Sequence, residues 1–194
     1  NSLGYSTGVY KPIETGVEIL NNFVQSPDIA FIKFVDPYIK TYYSYLFKSK
    51  NSPLLAAAAE NIVIERNTIL RDFQNIQDVN ECLVVDGVSG LASPLSKNFL
   101  EDMIKCLDLP LLMVVSAKNP SLNNVILSIN HAKETGINMR GVILNNYPQK
   151  CDDVNLRLMP RLIEEYTEVK ILGILPEFTK NINPNDLIGE MLNS

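Results

Sequence analysis

The sequence predicts a three-layer α/β fold with a mostly parallel sheet, and three observations predict it. Short β-rich runs alternate with helical stretches along the 194 residues, each run ends in a polar or glycine-containing loop, and the apolar runs are continuous. Continuous runs such as Cys82-Leu83-Val84-Val85 and Leu111-Leu112-Met113-Val114-Val115 are the pattern of parallel strands covered on both faces. Right-handed crossovers then return each chain segment across the sheet.

In order, strands are predicted over residues 6–11, 81–86, 109–116, 140–145 and 168–173. Helices are predicted over 61–77, 98–107, 121–135, 153–166 and 184–192, with Gly136 closing the third in the usual C′ position. Residues 14–53 read as a long connection carrying the cluster Tyr38, Tyr42, Tyr43 and Tyr45. Such a cluster either packs a loop onto the sheet or offers a stacking surface. The chain opens Asn1-Ser2-Leu3-Gly4, the pattern of a helix's last turn and its glycine stop. It reads as one domain, residues 1–194, with its first strand, P-loop and most of its first helix absent.

A chain of this length buries roughly 70% of the surface its unfolded form exposes. Its 46% hydrophobic and 20% charged residues exclude a disordered tail or a fibre. A net charge of -5 gives no basic footprint, so no nucleic-acid partner is expected and any phosphate must be held locally. Cys82, Cys106 and Cys151 are odd in number and far apart, which fits a reducing cytosol better than a disulfide framework or a Cys/His metal cluster. Apolar runs are far short of the ~20 residues a membrane span needs, and no signal-peptide pattern is present. The expectation is a soluble, cytoplasmic protein.

Ligands of open α/β sheets bind beyond the carboxyl ends of the strands, and the distinctive residues fall there. Lys11-Pro12-Ile13-Glu14-Thr15-Gly16 follows the first strand, Asp86-Gly87-Val88-Ser89-Gly90 the second, Asn145-Asn146 the fourth and Leu175-Pro176-Glu177-Phe178 the fifth. Cys82 to Gly87 has the Walker-B form of P-loop NTPase-like folds, an apolar strand ending in a carboxylate. Such an aspartate holds Mg²⁺ through its hard oxygens, or merely caps a turn. Glycines at 87 and 90 favour the first reading, because they let backbone N–H groups approach an anion. Lys11, set by Pro12 and followed by Thr15, either holds an anionic group by charge or is an ordinary loop lysine. His131, the only histidine, sits within a predicted helix, where a structural role is the simpler reading. No Gly-x-x-x-x-Gly-Lys-[Ser/Thr] loop occurs in the chain.

These ordered motifs resemble the dethiobiotin synthetase family over nearly the whole chain. The family's Lys-Pro-x-x-[Ser/Thr]-Gly matches Lys11 to Gly16, and its magnesium aspartate matches Asp28 in Ser26-Pro27-Asp28-Ile29-Ala30. Its Ser-Pro-x-x-Ala-Ala matches Ser52 to Ala57, and its Glu-Gly-Ala-Gly-Gly loop matches Asp86 to Gly90. Its Leu-Pro-x-x-x-Val-Val strand matches Leu109 to Val115. Asp86 stands where the family has glutamate, Ser89 where it has glycine, and Asn119-Pro120 where it has Leu-Gly.

The resemblance implies an ATP-dependent, cytoplasmic ligase of biotin synthesis that is a homodimer. CO₂ adds to one amine of 7,8-diaminononanoate, ATP phosphorylates the carbamate, and the second amine displaces phosphate to close the ring. It implies Lys11 as the catalytic cation, Thr15 on the substrate's carbamate side, and Asp28 and Asp86 as Mg²⁺ ligands. Gly87, Val88 and Ser89 would line the ATP site; Asn145, Asn146, Pro176, Glu177 and Phe178 would contact adenine. Pro120, Ser121, Leu122 and Asn123 would receive the substrate carboxylate across the dimer interface at a helix start. Two other readings stay open at this level. One is a non-catalytic module of the same fold that has lost ATP hydrolysis; the other is a cobyrinate-type amide-forming synthetase domain.

Overall fold

The computed structural model describes residues 4–20, 23–118 and 120–177. The chain divides into two compact units, the first ending at Leu107 and the second starting at Asp108.

The first unit runs β1 (Thr7–Thr15), β2 (Glu18–Leu20), β3 (Phe23–Gln25), α1 (Pro27–Val35), β4 (Lys40–Phe47), α2 (Pro53–Ala59), α3 (Arg66–Gln77), β5 (Cys82–Val85) and α4 (Leu100–Leu107). Its main sheet has the order β4-β1-β5, parallel throughout, and β2 and β3 form a separate antiparallel pair. α2 and α3 pack against β1 and β4. α3 buries Ile69, Phe73 and Ile76, spaced i, i+4, i+7, and α4 buries Leu100, Met103 and Leu107 at similar spacing. Tyr10, Ile13 and Phe47 complete this core.

Two expectations are corrected in this unit. The stretch 14–53 is not one long connection: it holds β2, β3, α1 and β4. The run Lys-Thr-Tyr-Tyr-Ser-Tyr-Leu-Phe is rich in the aromatic and β-branched residues that suit a pleated surface, and it pairs with β1 from Gly8↔Lys40 to Thr15↔Phe47. Three of the four clustered tyrosines thus sit on a strand. The first strand likewise does not stop at Lys11, because the β4 ladder carries β1 to Thr15, where Gly16, at φ +75°, ends it.

The second unit runs β6 (Leu111–Ser116), α5 (Leu122–Glu134), β7 (Met139–Tyr147), α6 (Val154–Thr167) and β8 (Ile171–Pro176). Its sheet has the order β6-β7-β8, all parallel. α5 presents Val125, Ile129 and Ala132, and α6 presents Leu156, Met159 and Ile163, to Val142 and Leu144 of β7. Gly136 follows α5 at φ +79°, as its sequence position predicts.

The predicted class holds, parallel sheets with flanking helices, and among the described residues the cover of the strand faces is uneven. Along β6, Met113 and Val115 pack on the helices while Leu112 and Val114 stand 43% and 60% exposed. α5 and α6 both serve the face that carries Val142 and Leu144, as successive right-handed crossovers in one direction require. Val84 of β5 is also exposed. Strand limits shift too: β7 extends through Asn145 and Asn146 to Tyr147, and β8 starts at Ile171. The helix expected over 184–192 lies outside the described residues.

Candidate functional site

In the first unit the site grows from strand register. β1 and β5 pair in parallel from Thr7↔Cys82 to Tyr10↔Val85, and the Asp86 N–H donates to the Tyr10 carbonyl at 2.9 Å. One residue further, the same register sets Asp86 beside Lys11. Pro12 has the parity of Tyr10, so its missing N–H falls on the β5 side, just where β5 has ended. Proline thus interrupts no ladder and holds the backbone beside the lysine.

Asp28 arrives from α1. Ser26 caps that helix by accepting from the Ile29 N–H at 3.1 Å, Pro27 occupies its first position, and Asp28 sits in its first turn, where a carboxylate is favoured by the helix dipole. The result is one ammonium shared by three carboxylates. Lys11 Nζ donates to Asp28 Oδ2 at 2.8 Å and to Asp86 Oδ2 at 2.5 Å, and lies 3.3 Å from Glu14 Oε2.

Burial divides these groups. The side chains of Lys11 and Glu14 are 8% and 6% exposed, whereas those of Asp28 and Asp86 are 61% and 49% exposed. Burial by itself pushes the Lys11 pKa down. The hydrogen bonds to Asp28 and Asp86, with the fields of Asp86 and Glu14, outweigh it and hold the ammonium above its ordinary range. Lys11 is therefore a permanent cation at working pH, with its charge aimed between two solvent-facing carboxylates.

Those carboxylates suit a hard divalent cation. Both reach the same nitrogen, so they lie close enough to share one ion, and Mg²⁺ commonly takes one or two carboxylates while keeping waters and phosphate oxygens. Among the described residues no group of three or more His, Cys, Asp or Glu side chains is arranged to hold a metal alone. A two-carboxylate site completed by water and phosphate is the chemistry this donor set supports.

Of the other predicted residues in this unit, Thr15 ends β1, partly buried, and Gly87, Val88 and Ser89 follow Asp86 directly. Ser89 has φ +67°, a left-handed conformation that glycine adopts without cost. The next residue, Gly90, uses its N–H internally, donating to Ser93 Oγ at 3.1 Å. Tyr38 is 90% exposed and distinct from the rest of its cluster, while Tyr45 stacks on Phe47 with ring centroids 6.2 Å apart. Both residues of that stack belong to β4, so the strand itself uses Tyr45 as packing.

Glu14 and a buried polar network were missed as functional or structural features. Tyr10, fully buried, pairs its hydroxyl with Ser44 Oγ at 2.6 Å, and Ser44 donates to Asp72 Oδ2 at 2.6 Å. Burial foremost pushes the Tyr10 pKa up to about 12. The signal for Glu14 was in plain view three residues after Lys11, but spacing alone does not say that its carboxylate turns inward.

The second unit gathers its predicted residues separately. Asn145, which ends the predicted strand, and Asn146, expected just beyond it, both lie inside β7, and the Asn145 carbonyl accepts from the Ala117 N–H at 2.7 Å. The Glu177 N–H donates to the Tyr147 carbonyl at 2.7 Å, and Glu177 pairs with Lys118 at 3.0 Å. The carboxyl ends of all three strands of this sheet are thereby tied together. Ser121 caps α5 by accepting from the Asn124 N–H at 3.3 Å, with Pro120 before it and Leu122 and Asn123 opening the helix. Phe178 lies outside the described residues. His131 is in the last turn of α5, where its carbonyl accepts from Thr135.

The chain is similar to known proteins in sequence and in fold. A family model described as an AAA domain matches residues 1–185. An ATP-dependent dethiobiotin synthetase from Fusobacterium nucleatum is 31% identical over 173 residues, 86% of this chain and 79% of that protein. One from Clostridium botulinum is 31% identical over 186 residues, 91% and 79% of the two chains. In fold, the chain resembles a ParA family ATPase from Chlorobium tepidum, with TM-score 0.52 at 16% identity over 98% of this chain and 76% of that one. It also resembles the MinC:MinD cell division complex of Aquifex aeolicus, with TM-score 0.53 at 14% identity over 92% and 72%. No helix among the described residues is long and apolar enough to cross a membrane.

Proposed function

This chain belongs to the ATP-dependent dethiobiotin synthetase family, and on that premise we propose that Lys11, Asp28 and Asp86 form the centre at which phosphoryl transfer and ring closure occur. The enzyme is a ligase that makes dethiobiotin, in biotin biosynthesis, at the expense of ATP. Neither a non-catalytic module nor an amide-forming synthetase of another pathway is favoured by its relatives.

The observation that carries the reading is the shared ammonium: Lys11 Nζ hydrogen-bonded to both Asp28 and Asp86. In the reaction, CO₂ joins one amine of 7,8-diaminononanoate, the carbamate oxygen takes the γ-phosphoryl group of ATP, and the second amine attacks the carbamoyl carbon. A C–N bond forms as the C–O bond to phosphate breaks. Negative charge builds on carbamate and phosphoryl oxygens, and a buried ammonium kept beside them by neighbouring carboxylates stabilises that charge. Lys11 supplies it. Asp28 and Asp86 would hold Mg²⁺, which offsets charge on the transferred group.

The remaining assignments follow the family motif. Thr15 would bond the carbamate side, Gly87, Val88 and Ser89 would line the phosphates, and Asn145, Asn146, Pro176, Glu177 and Phe178 would contact adenine. Pro120, Ser121, Leu122 and Asn123 would meet the substrate carboxylate at the start of α5, supplied across a homodimer interface. A cytoplasmic location fits three free cysteines.

Replacing Lys11 tests the reading. In the full-length protein, Lys11→Ala should lower dethiobiotin formation by about 10²–10³-fold, the range for loss of one charge-stabilising donor, with the circular-dichroism spectrum unchanged. Near-normal formation would remove Lys11 from the chemistry.

A further inference from the structure

Position 14 is one of the two unspecified places in the family's Lys-Pro-x-x-[Ser/Thr]-Gly motif, and here it carries a carboxylate. Glu14 is only 5% exposed, and its Oε2 lies 3.3 Å from Lys11 Nζ. A buried carboxylate is costly unless a cation answers it, and Lys11 is that cation. The backbone around Glu14 is fixed by the β1–β4 pairing, Glu14↔Leu46, so the mobile partner is the lysine side chain.

The lysine has a competitor. Its nitrogen occupies the space between Asp28 and Asp86, the same two carboxylates assigned above to Mg²⁺. An ammonium and a divalent cation repel one another with twice the force of two unit charges at equal distance. They cannot both sit on the same oxygens. When the metal takes the aspartates, the ammonium must shift, and Glu14 is a carboxylate already within reach, at a separation that can still shorten into a hydrogen bond.

We propose that Glu14 is a positioning residue that receives the Lys11 ammonium when a divalent cation occupies Asp28 and Asp86, so that the metal enters without leaving the lysine unpaired. The inference rests on the assignment of those aspartates as the metal carboxylates. It makes the charge layout functional: two exposed carboxylates exchange one cation for another, and a buried third keeps the displaced one aimed at the site.

The test reads metal affinity. Mn²⁺ is titrated into the full-length protein holding a non-hydrolysable ATP analogue, and free Mn²⁺ is followed by electron paramagnetic resonance. Glu14→Gln should weaken Mn²⁺ binding by about tenfold, the lower end of what loss of an outer-shell partner costs a metal site. Lys11→Met should tighten it, because the competing cation is gone. In the Lys11→Met background Glu14→Gln should change the affinity less than about twofold, since a residue that acts through Lys11 has nothing left to act on.

Equal weakening in both backgrounds would reduce Glu14 to a distant charge and overturn the inference, as would no weakening in the first. Should Glu14→Gln not fold, Glu14→Asp keeps the charge but shortens the reach, and should weaken Mn²⁺ in the same Lys11-dependent way; unchanged affinity would overturn the proposal. Asp28→Asn and Asp86→Asn separate the two levels. If neither alters Mn²⁺ binding, the metal assignment itself fails and takes this inference with it; if they do while Glu14 does not, the assignment stands and the inference alone falls.

Discussion

Tyr147 donates its hydroxyl to the Leu156 carbonyl at 3.2 Å, supplying the hydrogen bond that α6 cannot supply for itself. The helical donor to that carbonyl would be residue 160, which is proline and has no N–H. A strand-end side chain thus compensates for a helix defect, and in doing so fastens the end of β7 to α6.

Tyr147→Phe should therefore destabilise the protein by about 1 kcal/mol, the net worth of a part-buried hydrogen bond. In a Pro160→Ala background, where residue 160 regains its N–H, the same change should cost at least about 0.5 kcal/mol less. Urea unfolding of the four proteins gives both numbers. A cost that is the same in the two backgrounds would mean that the tyrosine does not stand in for the helix.

Tyr10 predicts an alkaline loss of stability. Unfolded, its hydroxyl ionises near the ordinary 10.0; folded, burial keeps the proton to about pH 12. Between those values the native state binds more protons than the unfolded state, so stability is intact below pH 10 and falls as pH rises through the window. The slope from this group is at most about 1.4 kcal/mol per pH unit. The raised Lys11 pKa acts in the same direction, so the diagnostic is a difference: Tyr10→Phe should flatten the decline between pH 10 and 12 by Tyr10's share, read by urea melts at stepped pH. Parallel curves for the two proteins would sink the account.

Gly141 is a question of space. A Cβ there would lie 2.5 Å from Leu172 Cγ and 2.9 Å from the Lys170 carbonyl oxygen. The leucine is exposed and can swing away, but the carbonyl is backbone and already accepts from the Val142 N–H at 2.9 Å. Gly141→Ala should cost about 1–3 kcal/mol, seen as a fall of about 2–4 °C in Tm for each kcal/mol. An unchanged melting temperature would show that β7 and β8 separate easily at this point.

Much of the fold was legible because its signals are local. The i, i+4, i+7 apolar spacing of Ile69, Phe73 and Ile76 needs only the helical period to be read, and Gly136 announces the end of α5 by its own freedom at positive φ. β4 was not legible. Its tyrosines alternate too weakly to separate a strand from an aromatic loop, and what makes it a strand is a ladder to β1 more than thirty residues away in sequence. Asn146 was placed beyond its strand for a related reason: the β8 ladder that carries β7 to Tyr147 leaves no mark on the residues themselves.

The sequence alone determined the ingredients of the site: Lys11 before a proline, Asp86 ending an apolar strand, Asp28 behind a capping serine, and an order of motifs that identifies the family. Those are properties of neighbours along the chain. That three carboxylates surround one ammonium, and that Glu14 faces it from the buried side, was decided only by the tertiary structure. Register and burial are set by pairing and packing between distant segments, and they turn an unspecified motif position into a charge inside the site.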